Sequence, residues 1–129
     1  AFFSILKHCT SLTTAPELPA TTLTRYCYSR MFEACSSLTQ APVLPATTLA
    51  STCYSGMFSN CSSLTQAPEL PATTLAYGCY GSMFAYCSSL TQAPALPATT
   101  LKDYDRCYSS MFYNCTSLTQ APELPATTL

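Results

Sequence analysis

Apolar side chains recur at intervals of four residues through part of this chain. Counting from Leu49, Cys53 and Met57 follow at i+4 and i+8, and the neighbouring Tyr54 and Phe58 widen the same stripe. Spacings of three and four residues are typical of one face of an amphipathic helix. The pattern therefore predicts a short helix after each leucine of this kind.

Most of the positions that differ between copies of this segment fall opposite the apolar stripe. They are the second, third, seventh and tenth residues after each leucine, and in one copy they are Arg25, Tyr26, Arg30 and Glu33. Because invariant apolar and variable polar positions separate in this way, the helix is expected to have a buried face and an outer face.

A short strand is predicted where Leu-Thr-Gln-Ala precedes Pro42. The strand has to end near this proline, because Pro42 and Pro45 each lack the N–H that a sheet requires. Strands from successive copies are expected to pair in parallel, about 4.8 Å apart, with each strand bonding only to its neighbours.

The whole chain is one repeat. Cys27, Cys53 and Cys79 lie 26 residues apart, and Cys107 follows after 28 because of a two-residue insertion. The chain divides into a half-coil 1–9, coils of about 10–35, 36–61, 62–87 and 88–115, and a partial coil 116–129. We therefore predict a single α/β repeat solenoid over residues 1–129, with about five 26-residue coils that each contain a short parallel strand and a short helix. Both ends fall within a coil, so a fragment of a longer array is expected.

The repeated motif resembles a known family. Met31-Phe32-x-x-Cys35 followed by Ser-Ser-Leu-Thr, and again Phe58, Cys61, Leu64 and Pro68, are similar to the leucine-rich repeats of BspA-like bacterial cell-surface proteins. This chain reads Ala-Pro-x-Leu-Pro where the family usually ends its strand with one proline. The resemblance implies a leucine-rich-repeat solenoid, an extracellular or bacterial cell-surface location, and a role in adhesion or ligand binding.

Composition excludes two classes of partner. Five Lys and Arg stand against six Asp and Glu, for a formal net charge of −1, so the basic surface that nucleic acid requires is absent. No apolar run approaches the roughly 18 residues of a membrane-spanning helix. Hydrophobic residues make up 48% of the chain, which is enough for a folded core.

The nine cysteines admit more than one interpretation. We call the residues at one equivalent position in successive copies a column. Both cysteine columns lie on or beside the apolar stripe, where Cys acts as a small buried hydrophobic residue. We favour stacked free thiols, while disulfides between neighbouring coils stay open as an alternative. The Cys-x7-Cys spacing matches no zinc knuckle, so no metal site is predicted.

No catalytic residue and no cofactor is predicted. His8 beside Cys9 has the composition of a thiol nucleophile with its base, but His8 occupies a position that varies between copies. Glu17, Glu69 and Glu123 share one column, which Val43 and Ala95 interrupt, so a calcium ladder is not expected. An enzyme needs a unique constellation, whereas this chain repeats itself.

The candidate ligand-binding residues are therefore those that vary between copies. Exposed tyrosines offer a large contact area at a small entropic cost, and insertions in repeat arrays often form binding loops. The candidates are Arg25, Tyr26, Arg30, Glu33, Tyr77, Tyr86, Lys102, Asp103, Tyr104, Asp105, Arg106 and Tyr113.

Two functions follow from these observations. The first is a non-catalytic extracellular module that presents variable side chains on a rigid repeat rod to a protein or glycan. The alternative is a structural spacer or fibre segment that assembles end to end.

Overall fold

A computed structural model describes residues 3–101 and 106–126. Successive coils of the chain lie directly against one another and are joined by backbone hydrogen bonds. The N–H of Phe32 donates to the carbonyl of Met57 at 2.9 Å, and Phe58 donates in the same way to Met83 at 2.9 Å. The repeat is therefore a stack in which equivalent residues of neighbouring coils are in contact.

The predicted helix is wrong. Within the described ranges the chain contains no helix, and the segments that carry the apolar stripe are chains of overlapping four-residue turns. We call these segments, residues 24–35, 50–61, 76–87 and 106–115, the turn ribbons. In the first ribbon the N–H groups of Cys27, Ser29 and Met31 donate to the carbonyls three residues earlier, at 3.1 to 3.2 Å.

Alternate N–H groups of a turn ribbon serve two different purposes. Tyr28, Arg30 and Phe32 donate to carbonyls of the next coil, and the residues between them donate to carbonyls within their own coil. From Tyr26 to Cys35 and from Thr52 to Cys61, every backbone N–H is thus paired without a helix, as a buried backbone requires.

Left-handed backbone at every fourth residue is what prevents a helix. Tyr26, Arg30 and Ala34 have φ of 61°, 54° and 60°, and each is the third residue of a turn. Type II turns require positive φ at this place, whereas an α-helix needs φ near −63° throughout. We call these positions the corners. The remaining corners in the described chain are Ser4, His8, Thr52, Gly56, Asn60, Gly78, Ser82, Tyr86, Arg106, Ser110 and Asn114.

The predicted strand is also wrong as an extended element. In the described residues, strand pairing is limited to isolated parallel bridges, which join Thr14 to Gln40, Gln66 to Gln92 and Thr48 to Thr74. The prolines of Ala-Pro-x-Leu-Pro remove the donors that would lengthen the pairing. An α/β leucine-rich-repeat solenoid with a strand and a helix in each coil is therefore not the architecture of this chain.

Ladders of identical side chains form the core. Phe32, Phe58 and Phe84 stack on one another with ring centroids 5.6 Å apart, and Phe112 continues the ladder at 5.8 Å. A second ladder, of Tyr28, Tyr54, Tyr80 and Tyr108, has centroid spacings of 5.9 to 6.3 Å. Leu38, Leu64 and Leu90 are fully buried beside them. The interior is thus continuous from coil to coil.

Candidate functional site

The residues that vary between copies lie mainly at or beside the corners of the turn ribbons. Tyr26, Arg30, Tyr86 and Arg106 are themselves corners and are exposed, whereas Glu33 and Tyr113 share a neighbouring column. The outer surface expected for a helix is therefore supplied by the outer edge of the ribbons. Copy-to-copy variation marks this edge because the ladders behind it tolerate little change.

A groove of about 380 Å³, which we call the outer groove, runs along this edge across four successive coils. Small residues from the two inner coils line its middle, among them Gly56, Ser59, Ser82 and Ala85, and Ser110 lies in the last coil. Because larger side chains stand only near its two ends, the groove stays open along its length.

Charged groups close one end of the groove. Glu33 lies between Lys7, whose Nζ is 3.2 Å from the Glu33 carboxylate, and Arg30, whose Nε is 3.8 Å from the same oxygen. The Arg30 side chain remains 57% exposed. Its guanidinium has five N–H donors, so most of them are available to a ligand in the groove.

Two tyrosines form the other end. The rings of Tyr86 and Tyr113 meet edge to face, with centroids 5.4 Å apart and planes at 82°. Tyr86 is 44% exposed and Tyr113 is 56% exposed. A backbone hydrogen bond also joins the two residues, because the N–H of Tyr86 donates to the carbonyl of Tyr113 at 2.7 Å.

The other predicted site residues do not join this groove. Arg25 and Tyr26 form a separate cluster with Phe3, in which the Arg25 guanidinium lies 4.9 Å from the Tyr26 ring centroid. The pKa of Tyr26 is lowered because Arg25 donates a hydrogen bond to its hydroxyl and adds a positive charge. Tyr77 is exposed elsewhere on the ribbon edge. Arg106 is exposed, and Lys102, Asp103, Tyr104 and Asp105 lie outside the described residues.

The residues that sequence reasoning missed are the small ones. Ser82, Ala85 and Ser110 line the groove but carry no chemistry that would single them out. The available signal was their column: Ser82 and Ser110 occupy the column of Arg30, and Ala85 occupies that of Glu33.

The cysteines are free thiols, and all but Cys9 are buried. The thiol of Cys61 donates to the carbonyl of Phe32 in the preceding coil at 3.1 Å, and that of Cys87 donates to Phe58 at 3.1 Å. Burial raises the pKa of Cys53, Cys79 and Cys87 to about 12. These thiols are protonated at neutral pH, so they are poor nucleophiles and poor metal ligands.

Other grooves lie on surfaces that every copy repeats. One of about 440 Å³ separates the Gln92 and Gln120 segments, and one of about 400 Å³ lies between Pro16 and Pro42. Their linings come mostly from the invariant Leu-Thr-Gln-Ala-Pro-x-Leu-Pro sequence. The groove along the ribbon edge differs because charged and aromatic residues occur there in single copies.

Residues 3–101 and 106–126 contain no helix that is long and apolar enough to cross a membrane. The described side chains also contain no group of three or more His, Cys, Asp or Glu placed to hold a metal ion.

The outer groove is thus the site at which copy-specific chemistry is concentrated. Comparison with protein-family models, curated proteins and solved structures finds no match to this chain.

Proposed function

We propose that this chain is a non-catalytic binding module that holds a protein or glycan ligand in the outer groove. The observation that carries the proposal is the groove itself, with Arg30 and Glu33 near one end and Tyr86 and Tyr113 at the other. Aromatic and arginine side chains are the residues most often responsible for binding energy at protein surfaces.

The chemistry of the groove favours binding over catalysis. Its side chains are serines, small residues, the Arg30–Glu33 ion pair and two tyrosines, and no histidine or cysteine is among the residues that line it. The hydroxyl of Ser55 donates to the carbonyl of Gly81 at 3.2 Å and is therefore engaged by the backbone. A serine nucleophile would instead require an adjacent base.

We further propose an extracellular or bacterial cell-surface location. Free thiols would be at risk in such an oxidising environment if they were exposed. Here burial raises the pKa of Cys53, Cys79 and Cys87, so the thiolate that reacts with oxidants is scarce. The buried thiols are thus compatible with this location.

Capture of matrix glycoproteins tests the binding proposal. The 129-residue chain is immobilised and exposed to fibronectin, collagen and mucin, with the double variant Tyr86→Asn/Tyr113→Ala beside it. Asn60 and Ala85 already occupy these two columns, so the fold accepts both changes. We expect capture of at least one glycoprotein and a loss of tenfold or more in the double variant.

The matched control is Tyr77→Ser, because Tyr77 is 48% exposed, lies outside the groove and has Ser51 in its column. It should bind like the original chain. If the double variant binds as well as the original chain and unfolds at the same denaturant concentration, the groove is not the binding site.

End-to-end assembly is the second candidate, and one observation favours it. The N–H groups of Ser110, Phe112 and Asn114 point along the stack and have no acceptor among the residues that the structure describes. A further coil, from a continuing chain or from a second copy, would supply carbonyls at this edge. At the opposite edge, Phe3 is 53% exposed and Ile5 is 62% exposed.

Light scattering against concentration tests this second candidate. Mass that grows with concentration, and falls in an Ile5→Lys variant, would support assembly. A constant monomer mass up to the solubility limit would contradict it for the 129-residue chain.

A further inference from the structure

We infer that the ligand of the outer groove is a neutral oligosaccharide, with a pyranose ring packed against Tyr113 and its hydroxyl groups hydrogen-bonded along the groove. This inference rests on the proposed binding function and names its ligand class. It follows from three properties of the groove, which are its paired backbone, its neutral hydroxyls and its exposed rings.

Apart from the N–H of Ser110 at one end, the backbone of the groove has little to offer an extended peptide. The N–H of Gly56 donates to Gly81 at 2.8 Å, that of Ser82 donates to Ser109 at 2.8 Å, and that of Ser59 donates to Gly56 at 3.1 Å. Peptides that bind by strand addition require free N–H and carbonyl groups in the host. Recognition in the middle of this groove therefore depends on side chains.

The small side chains that line the groove between Arg30 and Tyr113 are neutral, and its serines offer hydroxyl groups. Ser82 and Ser110 make no side-chain hydrogen bond with any residue that the structure describes. Each hydroxyl has one donor and two acceptor lone pairs, as has each hydroxyl of a sugar. Neutral hydroxyls of this kind suit a polyol. They offer no ion pair to a charged polymer.

The tyrosines supply an apolar contact of the right shape. Tyr113 is 56% exposed, and Tyr86 packs its ring at 82° to that of Tyr113. The face of an aromatic ring carries partial negative charge, which attracts the C–H groups on one face of a pyranose. At the far end, the forked N–H donors of Arg30 can reach two neighbouring hydroxyls.

The length of the groove favours an oligosaccharide over a single sugar. Arg30 and Ser110 occupy the same column three coils apart, which corresponds to about 15 Å at the usual spacing of paired chains. A single pyranose cannot contact both Arg30 and Tyr113, whereas a chain of several sugars can.

Titration with neutral trisaccharides tests the inference. Maltotriose, cellotriose, triacetylchitotriose and mannotriose are each added to the 129-residue chain, and binding is followed by saturation-transfer NMR and calorimetry. We expect at least one to bind in the millimolar range or tighter, with a loss of tenfold or more in Tyr113→Ala and no change in Tyr77→Ser. Because the ligand carries no charge, affinity should change less than twofold between low and high salt.

Two results would overturn the inference. One is the failure of all these trisaccharides to bind, and the other is binding that Tyr113→Ala leaves intact. Glycoprotein capture separates this failure from failure of the proposed function. If enzymatically deglycosylated glycoproteins are still captured through Tyr86 and Tyr113, the binding function stands and its ligand is protein. If the double variant Tyr86→Asn/Tyr113→Ala captures them normally, both proposals fail.

Discussion

Single residues at the corners of the turn ribbons carry a backbone conformation that most side chains disfavour. Only Gly56 and Gly78 among the described corners are glycines, whereas Tyr26, Thr52, Ser82 and the others have positive φ with a side chain. An L-residue pays about 1 kcal/mol or more for this conformation. The stack holds Arg30 and Ser82 there because the N–H groups of both neighbours of each are hydrogen-bonded within their own coil.

Replacing a corner serine with glycine should stabilise the chain. Ser82 has φ of 53°, and relief of that conformation in Ser82→Gly is expected to raise the unfolding free energy by about 0.5–1 kcal/mol after the entropy cost of glycine. Ser59→Gly is the matched control, because Ser59 lies in the same kind of ribbon but is not a corner. It should lower stability by a similar amount in urea unfolding, and the same sign in both variants would contradict the assignment of corners.

The buried thiols predict how stability depends on pH. Burial raises the pKa of Cys53 and Cys79 from 9.0 to about 12, so above pH 9 the unfolded chain releases protons that the folded chain retains. The unfolded state then binds fewer protons, and stability falls as the pH rises from about 9 towards 12. Urea unfolding at a series of pH values should show this decline, with a shallower slope in Cys79→Ser. A flat profile to pH 11 would be inconsistent with buried thiols.

At the scale of the element, four-residue spacing identified the buried positions but not the structure that buries them. Cys27, Met31 and Cys35 are all buried, as the stripe predicts. A helix and a chain of turns both place such residues on one side over so short a segment, although the helical stripe drifts by about 40° every four residues. The distinguishing signal lay in two of the corner columns, in which Gly56, Asn60 and Asn114 are residues that tolerate positive φ.

The aromatic ladders should dominate the stability of the turn ribbons. Phe58 is fully buried between Phe32 and Phe84, so Phe58→Ala is expected to cost about 3–5 kcal/mol. Phe112 is only partly buried at the end of the ladder, and Phe112→Ala should cost clearly less. Chemical denaturation of the two variants measures the difference, and equal losses would argue against a continuous ladder.

At the scale of the whole molecule, the groove exists only because coils stack in register. Arg30 and Tyr113 are far apart in sequence, yet both line the same groove, which spans four coils. Copy-specific variation was enough to nominate both residues. It could not separate them from Arg25, Tyr26 and Tyr77, because membership of one groove depends on which columns are adjacent in the fold.

Removal of one complete coil should leave a folded stack. Deletion of residues 36–61 joins Cys35 to Ser62, which restores the original Cys-Ser-Ser sequence and preserves the register of every ladder. Because each coil contacts only its neighbours, we expect a cooperative transition at lower denaturant with a smaller m-value. Deletion of residues 36–48 removes half a coil and breaks the register, so that variant should not fold. Loss of folding in the first deletion would contradict nearest-neighbour stacking.

The stacked turn ribbon is tested most directly by NMR couplings across backbone hydrogen bonds. The N–H of Phe58 should couple to the carbonyl carbon of Met83 in the next coil, and the N–H of Met57 should couple to Tyr54 three residues earlier. Couplings from Phe58 to Tyr54, four residues earlier, would instead show a helix and contradict the account.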